Sequence, residues 1–213
     1  MLKLSDILLY PRGFYGRLTN KKLTLYLGVL LVGFVDLFMP EFIETYKVMF
    51  LGKPTNTLII NILMAIGVVL LLGILDVVVF ALPMFDLFKF LKRKLGEAHN
   101  ASVVKVMKAY ISSYFILVPI QILLHYTLFK GFNENSSQLL QNLYAIYFLV
   151  ITVWSTAIVA RGINTLFNMN GPLNRLTFLI VFLWNMIITV VFVFQLFPLI
   201  NYLLALVGIK LPV

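Results

Sequence analysis

The chain has 213 residues, of which 62% are hydrophobic and only 12% charged, and its mean hydropathy is +1.00. Average soluble domains carry roughly 25% charged residues, and a small soluble domain could not hide this much apolar surface from water, so a soluble enzyme, a disordered tail and a fibrous repeat are excluded. Seventeen Lys and Arg against eight Asp and Glu give a formal charge of +9, which in a membrane protein reports loops kept in the cytoplasm rather than a nucleic-acid surface.

Residues 1–22 read as a cytoplasmic amphipathic segment. Leu4, Ile7, Leu8, Leu9, Phe14 and Leu18 are apolar, while Lys3, Asp6, Arg12 and Arg17 are charged. Pro11 and Gly13 are expected to break it into two short pieces lying in the headgroup layer, with Arg12 and Arg17 as candidate lipid or partner contacts. The remainder, 23–213, reads as an all-α polytopic bundle of five transmembrane helices. Charge-free runs place these spans at about 23–43, 57–82, 107–129, 139–162 and 176–198, each long enough for the roughly 20 residues a crossing needs. No small-residue cleavage pattern follows the first span, so it is not read as a signal peptide. Pro83, Pro119 and Pro198 are expected helix kinks, because each lacks the backbone N–H of a helix interior. A single helix over 176–209 would reach about 51 Å. The last span is therefore ended near Pro198, and 198–209 is left as a kinked, re-entrant or interfacial piece.

Lys and Arg set the orientation. Thirteen of the 17 fall before the first span, between spans two and three, or between spans four and five; the other side has Lys47, Lys53, Lys130 and Lys210. This puts the N-terminus in the cytoplasm and the C-terminus outside, in a multi-pass protein of the cell (inner) membrane. The loop 88–105 carries Lys92, Arg93 and Lys94, expected to face anionic lipid at about 1 kcal/mol per charge. It is short and lacks an aromatic platform beside its polar part, so nucleic acid is not an expected partner.

Residues for chemistry are few. There is no cysteine, and His99 and His125 are the only histidines, so neither a thiolate nor a polyhistidine metal site is expected and no cofactor is implied. Asp36 and Asp76 are the intramembrane charges, functional candidates because burying one costs at least roughly 2.5–3.5 kcal/mol. If their spans are antiparallel neighbours, the two lie at different depths and do not form a carboxylate pair. Gln121 and His125 share a face of span three at a spacing of four. Asn61, Asn185 and Gln195 are expected to hydrogen-bond between helices, and Thr152, Thr156 and Ala160 form a small-residue stripe for close packing. Ser112 and Ser113 have no base nearby in sequence, and no phosphate loop or hydrolase motif occurs. No catalytic residue is expected.

This layout resembles the Yip1-domain family of five-span membrane proteins, especially its small bacterial members. The resemblance rests on the opening stretch from Asp6 through Tyr10-Pro11-Arg12-Gly13-Phe14 to Leu18, on Lys94-Leu95-Gly96-Glu97 followed by 103–110 and Pro119, and on Trp154 through Arg161-Gly162 to Arg175. Only Gly96 stands where the family often has two glycines. The resemblance implies a non-enzymatic protein acting as an accessory or organising factor through membrane-protein or lipid contacts, in some relatives beside an export transporter. Membrane lipids and another membrane protein are the expected partners, and a homo-oligomer is compatible with the sequence. The alternative is a small transporter or channel component using Asp36 or Asp76.

Overall fold

A computed structural model describes residues 4–38, 42–95, 101–130, 132, 136–196, 198, 199, 202 and 205. Every regular element among them is helical. In order they are α1 (Leu4–Leu8), α2 (Arg12–Gly16), α3 (Lys22–Phe38), α4 (Phe42–Met49), α5 (Thr55–Lys94), α6 (Val103–Thr127), α7 (Gln138–Leu166) and α8 (Pro172–Val191), which passes into a π-helical turn at Phe192–Leu196. Four stretches, α5, α6, α7 and Pro172–Leu196, are long and apolar enough to cross a membrane. The expected first span is represented by α3, whose 17 residues reach about 25 Å, short of the roughly 30 Å hydrocarbon layer. The rest of that expected span meets residues 39–41, outside the described ones, and the start of α4.

Two prolines expected to disturb helices sit inside them. α5 runs unbroken for 40 residues through Pro83, and α6 continues through Pro119. Membrane helices tolerate proline because neighbouring helices, hydroxyl side chains and local adjustment satisfy the freed backbone groups. Pro198 also has helical backbone, as do the described residues 199, 202 and 205 beyond it, and a π-helical turn precedes it at Phe192–Leu196. The rest of the continuation expected over 198–209 falls outside the described residues, as do Gly96, His99 and Asn100. The continuity of α5 corrects the position of Lys92, Arg93 and Lys94. They occupy its last turn rather than a loop, where the negative end of the helix dipole favours basic side chains.

The chain divides into two compact units. One contains residues 1–22 and 80–185. Its core includes Phe80, Phe88, Ala109, Ile158, Ile163 and Phe167. Phe80 stacks on Tyr110 with ring centroids 4.1 Å apart, and Phe132 stacks on Tyr144 at 4.3 Å. Ser102 caps α6 by accepting from the Lys105 N–H, and Ser137 caps α7 by accepting from the Leu140 N–H. Such caps satisfy donors that a helix start leaves open. α7 ends in a Schellman motif. Asn168 adopts the left-handed conformation at φ 48°, the Met169 N–H reaches the Asn164 carbonyl and the Asn168 N–H the Thr165 carbonyl. Asparagine is one of the few side chains that enters this region readily.

The other unit contains residues 23–79 and 186–213. One face of α5 (Ala65, Val69, Leu72, Asp76) is buried, while Ile59, Leu63, Ile66 and Leu70 are exposed. Both sets repeat at helical spacing, so the exposed stripe is the one left for lipid. The buried face meets α3 at glycines. A Cβ on Gly33 would stand 2.7 Å from the Gly73 nitrogen and overlap the Val69 carbonyl oxygen, and one on Gly73 would stand 2.9 Å from the Gly33 nitrogen and overlap the Val29 carbonyl oxygen. Below this crossing, Leu37, Phe38 and Met49 pack on Ala65, Val69 and Leu72. The Asn61 side-chain amide donates to the Met49 carbonyl at 2.6 Å, tying α5 to the end of α4.

Gly33→Ala and Gly73→Ala are each expected to abolish the monodisperse peak in fluorescence-detected size exclusion. Gly67→Ala, where an added methyl meets nothing within 4 Å, is expected to leave the peak intact. A normal peak from Gly33→Ala would show that the crossing is not needed.

Candidate functional site

The first unit holds a polar assembly that fastens the N-terminal segment to α6 and α7. The break between α1 and α2 lies at Tyr10 and Pro11, with Gly13 inside α2. Tyr10 carries a positive φ of 58°, and Pro11, at φ −64° and ψ 145°, starts α2. A fixed φ near −65° suits the entry to a helix, so it is this dipeptide and not Gly13 that divides the segment.

The turn delivers Tyr15 into the unit, where it is completely buried. Its hydroxyl lies 3.0 Å from the carbonyls of both Leu9 and Ile158 and shares its one proton between them. Burial pushes the Tyr15 phenol well above its ordinary range, so it stays a neutral donor at any physiological pH. The ring lies against Gly162, where a Cβ would come within 2.8 Å of Tyr15 Cε1 and 3.0 Å of the Ala109 methyl. Around this anchor the Trp154 indole N–H donates to the Leu8 carbonyl at 2.8 Å, Arg161 forms an ion pair with Asp6, and the Ser102 hydroxyl donates to Asn20 at 2.5 Å.

Two lysines counted as loop charges turn out to be buried. Lys108 directs its ammonium at the carbonyls of Thr19 and Lys21, at 2.7 and 2.8 Å. Lys92 donates to the Asn168 carbonyl at 2.8 Å and is only 1% exposed. A hydrogen bond to a charged group contributes about 1.5–3 kcal/mol net. Lys92 is therefore withdrawn from the lipid-facing role expected of it. Arg93, Lys94, Arg12 and Arg17 are exposed, and Lys94 places its ammonium 4.9 Å from the Phe90 ring centre.

The other polar candidates are distributed through the helices. His125 sets its ring edge-on to Tyr126 at 5.2 Å, and Gln121 lies on the same helix, α6. The Asn185 amide donates to the Thr156 hydroxyl at 3.2 Å. Thr156 and Ala160 are buried, which makes the small-residue stripe internal packing. Gln195 is exposed. Ser112 and Ser113 donate to the carbonyls of Ala109 and Tyr110 in their own helix.

Asp36 and Asp76 belong to the second unit, each three residues beyond the glycine of the α3–α5 crossing, about 4.5 Å along its own axis. Leu37 and Phe38 pack on Ala65 and Val69, so the two helices run antiparallel and the carboxylates lie on opposite sides of that crossing. One oxygen of Asp36, Oδ2, is buried without a hydrogen-bond partner. Among the described residues, no group of three or more His, Cys, Asp or Glu is arranged to hold a metal ion.

Compared with known protein families, curated proteins and solved structures, the chain matches none of them.

Gly162→Ala is expected to unseat the Tyr15 ring and expose Arg12 and Arg17 to trypsin in the folded protein. Tyr15→Phe, which removes only the hydroxyl, is expected to cost about 1 kcal/mol and to raise cleavage there more modestly. Unchanged cleavage in Gly162→Ala would mean that the segment is held without Tyr15.

Proposed function

We propose that this chain is a non-enzymatic integral membrane protein of Yip1-like type, an accessory or organising factor that acts through lipid and membrane-protein contacts. The observation that carries the reading is the way residues 6–21 are bound down. Tyr15, Asp6, Lys108 and Trp154 use their polar atoms to hold this segment against α6 and α7. A tether or a topology signal needs no such attachment, whereas a docking face needs a fixed shape. The fixed segment leaves Ile7, Leu8 and Phe14 exposed beside Arg12 and Arg17, the apolar-plus-basic character of a strip at a headgroup layer.

In this reading α3 is a short first span, the N-terminus is cytoplasmic, the C-terminus lies outside, and the host membrane is the cell (inner) membrane. Thirteen basic residues on one side support that orientation. A second reading is favoured by one specific observation. The unpartnered Asp36 oxygen is one that a transported cation or proton would satisfy, as in a small transporter or channel component.

Asp36→Asn and Asp76→Asn separate the two. The accessory reading expects both variants to accumulate normally and to support no change in ion or solute flux in proteoliposomes, while Gly162→Ala loses co-purification with a membrane partner. Flux present in the wild type and lost in the Asn variants would overturn it in favour of transport. A reporter fused after Val213 should score extracytoplasmic; a cytoplasmic score would remove α3 from the spans.

A further inference from the structure

The side of α7 turned to the N-terminal segment carries a groove of about 650 Å³. Leu8 and Leu9 form one wall, and Leu149, Val153, Trp154 and Ala157 of α7 form the other. Its size falls within the roughly 300–1,000 Å³ of sites that hold small ligands. The one polar atom in these side chains is the Trp154 indole nitrogen, and its hydrogen already goes to the Leu8 carbonyl. A polar occupant would find no side-chain partner there, so the groove suits hydrocarbon.

The level of the groove follows from the length of α7. The helix Gln138–Leu166 has 29 residues, and about 20 residues are needed to cross the hydrocarbon layer. Any run of about 20 within that helix contains residues 149–157, so the groove lies in hydrocarbon wherever α7 sits along its axis. Leu8 and Leu9 therefore reach below the headgroup layer.

Arg12 follows Leu9 by three residues, so its Cα is within about 11 Å of that of Leu9. It shares a second, polar cavity with Arg161, Asn164 and Asn168 at the end of α7. Along α7 the surface thus passes from the apolar groove at 149–157 to the polar residues from 161 onward. Arg161 is engaged by Asp6. Arg12 is exposed and has no ion pair among the described residues. An apolar groove that leads to one open guanidinium has the polarity of a single anionic lipid, hydrocarbon at one end and a phosphate at the other. Neither a neutral lipid nor an apolar partner helix answers that charge.

We infer that the groove is a site for one anionic phospholipid, with an acyl chain between Leu8, Leu9 and α7 and its headgroup at Arg12. The inference deepens the lipid contacts proposed above. It rests on that reading for the crossing of the bilayer by α7 and for the anionic, cytoplasmic leaflet at its end. The accessory role is read by co-purification and the groove by a lipid probe, so either can fail alone.

Trp154 itself reports the occupant, because in a Trp184→Phe background it is the only tryptophan. The full chain is reconstituted in mixed vesicles of phosphatidylcholine and phosphatidylglycerol, with the acyl chains of one lipid or the other brominated. Quenching of Trp154 fluorescence then gives the relative affinity of the two lipids at the groove. Phosphatidylglycerol is expected to bind about fivefold tighter than phosphatidylcholine. Arg12→Gln should abolish that preference, and Arg12→Lys, which keeps the charge, should retain most of it. Ala157→Phe, which fills the groove, should reduce quenching by either lipid. Equal affinity for the two lipids, or a preference that survives in a folded Arg12→Gln protein, would overturn the proposal. So would a Trp154 that neither brominated lipid quenches, because protein from a partner or a second copy would then cover the groove.

Discussion

Helices in lipid have no hydrophobic force to press them together, since a lipid tail is as apolar as leucine. Close approach has to come from shape, and in both units of this chain it comes from glycine. At Gly162 the missing side chain is replaced by the ring of Tyr15, and at Gly33 and Gly73 by the opposing backbone itself. The consequences spread from these points. Tyr15 can enter only because Gly162 leaves room, and Asp6, Trp154 and Arg161 find their partners because Tyr15 holds the segment there.

What glycine admits, polar groups then fasten. A buried polar atom without a partner is expensive in a low-dielectric interior, and most of those described here are satisfied across elements. Asn61 bonds Met49 and Asn185 bonds Thr156. These contacts are modest singly, about 0.6 kcal/mol each on average in membrane helices. They nevertheless specify which face of one helix meets which face of another. Asp36 Oδ2 and Asn164 Oδ1, one in each unit, are among the buried side-chain atoms that find no such partner.

The apolar runs of α5, α6, α7 and α8 were legible in the sequence because hydrocarbon thickness imposes a length that composition records directly. The inter-helix roles of Asn61 and Asn185 were legible for a similar reason, since a polar side chain in an apolar run needs a partner. The course of the helices through Pro83 and Pro119 was less legible, since a proline marks a kink but not whether the helix goes on past it. Nor did the sequence distinguish Gly33, Gly73 and Gly162 from Gly67, which meets nothing; only the opposing element makes a glycine necessary. The polar cavity at the end of α7 had a visible trace in the run Asn168-Met169-Asn170-Gly171-Pro172, a helix stop followed by a helix start, but that trace marks a turn and not a concavity.

The basic excess is the feature whose meaning changed most. Read as composition, every Lys and Arg on one side contributes equally to orientation. In the folded unit they divide by partner. Arg17, Arg93 and Lys94 remain at the surface, whereas Lys92 and Lys108 spend their ammonium groups on backbone carbonyls of Asn168, Thr19 and Lys21. The Asn168 carbonyl lies just past the end of α7, where the last carbonyls of a helix lose their intrahelical partners, and those of Thr19 and Lys21 lie just before α3. A long lysine stem can lie along apolar surface while its head seeks such oxygens. Lys92 and Lys108 thus act as donors that hold neighbouring turns to the helices of the first unit, and neutralising either one would leave these carbonyls without their charged partner and disturb that packing.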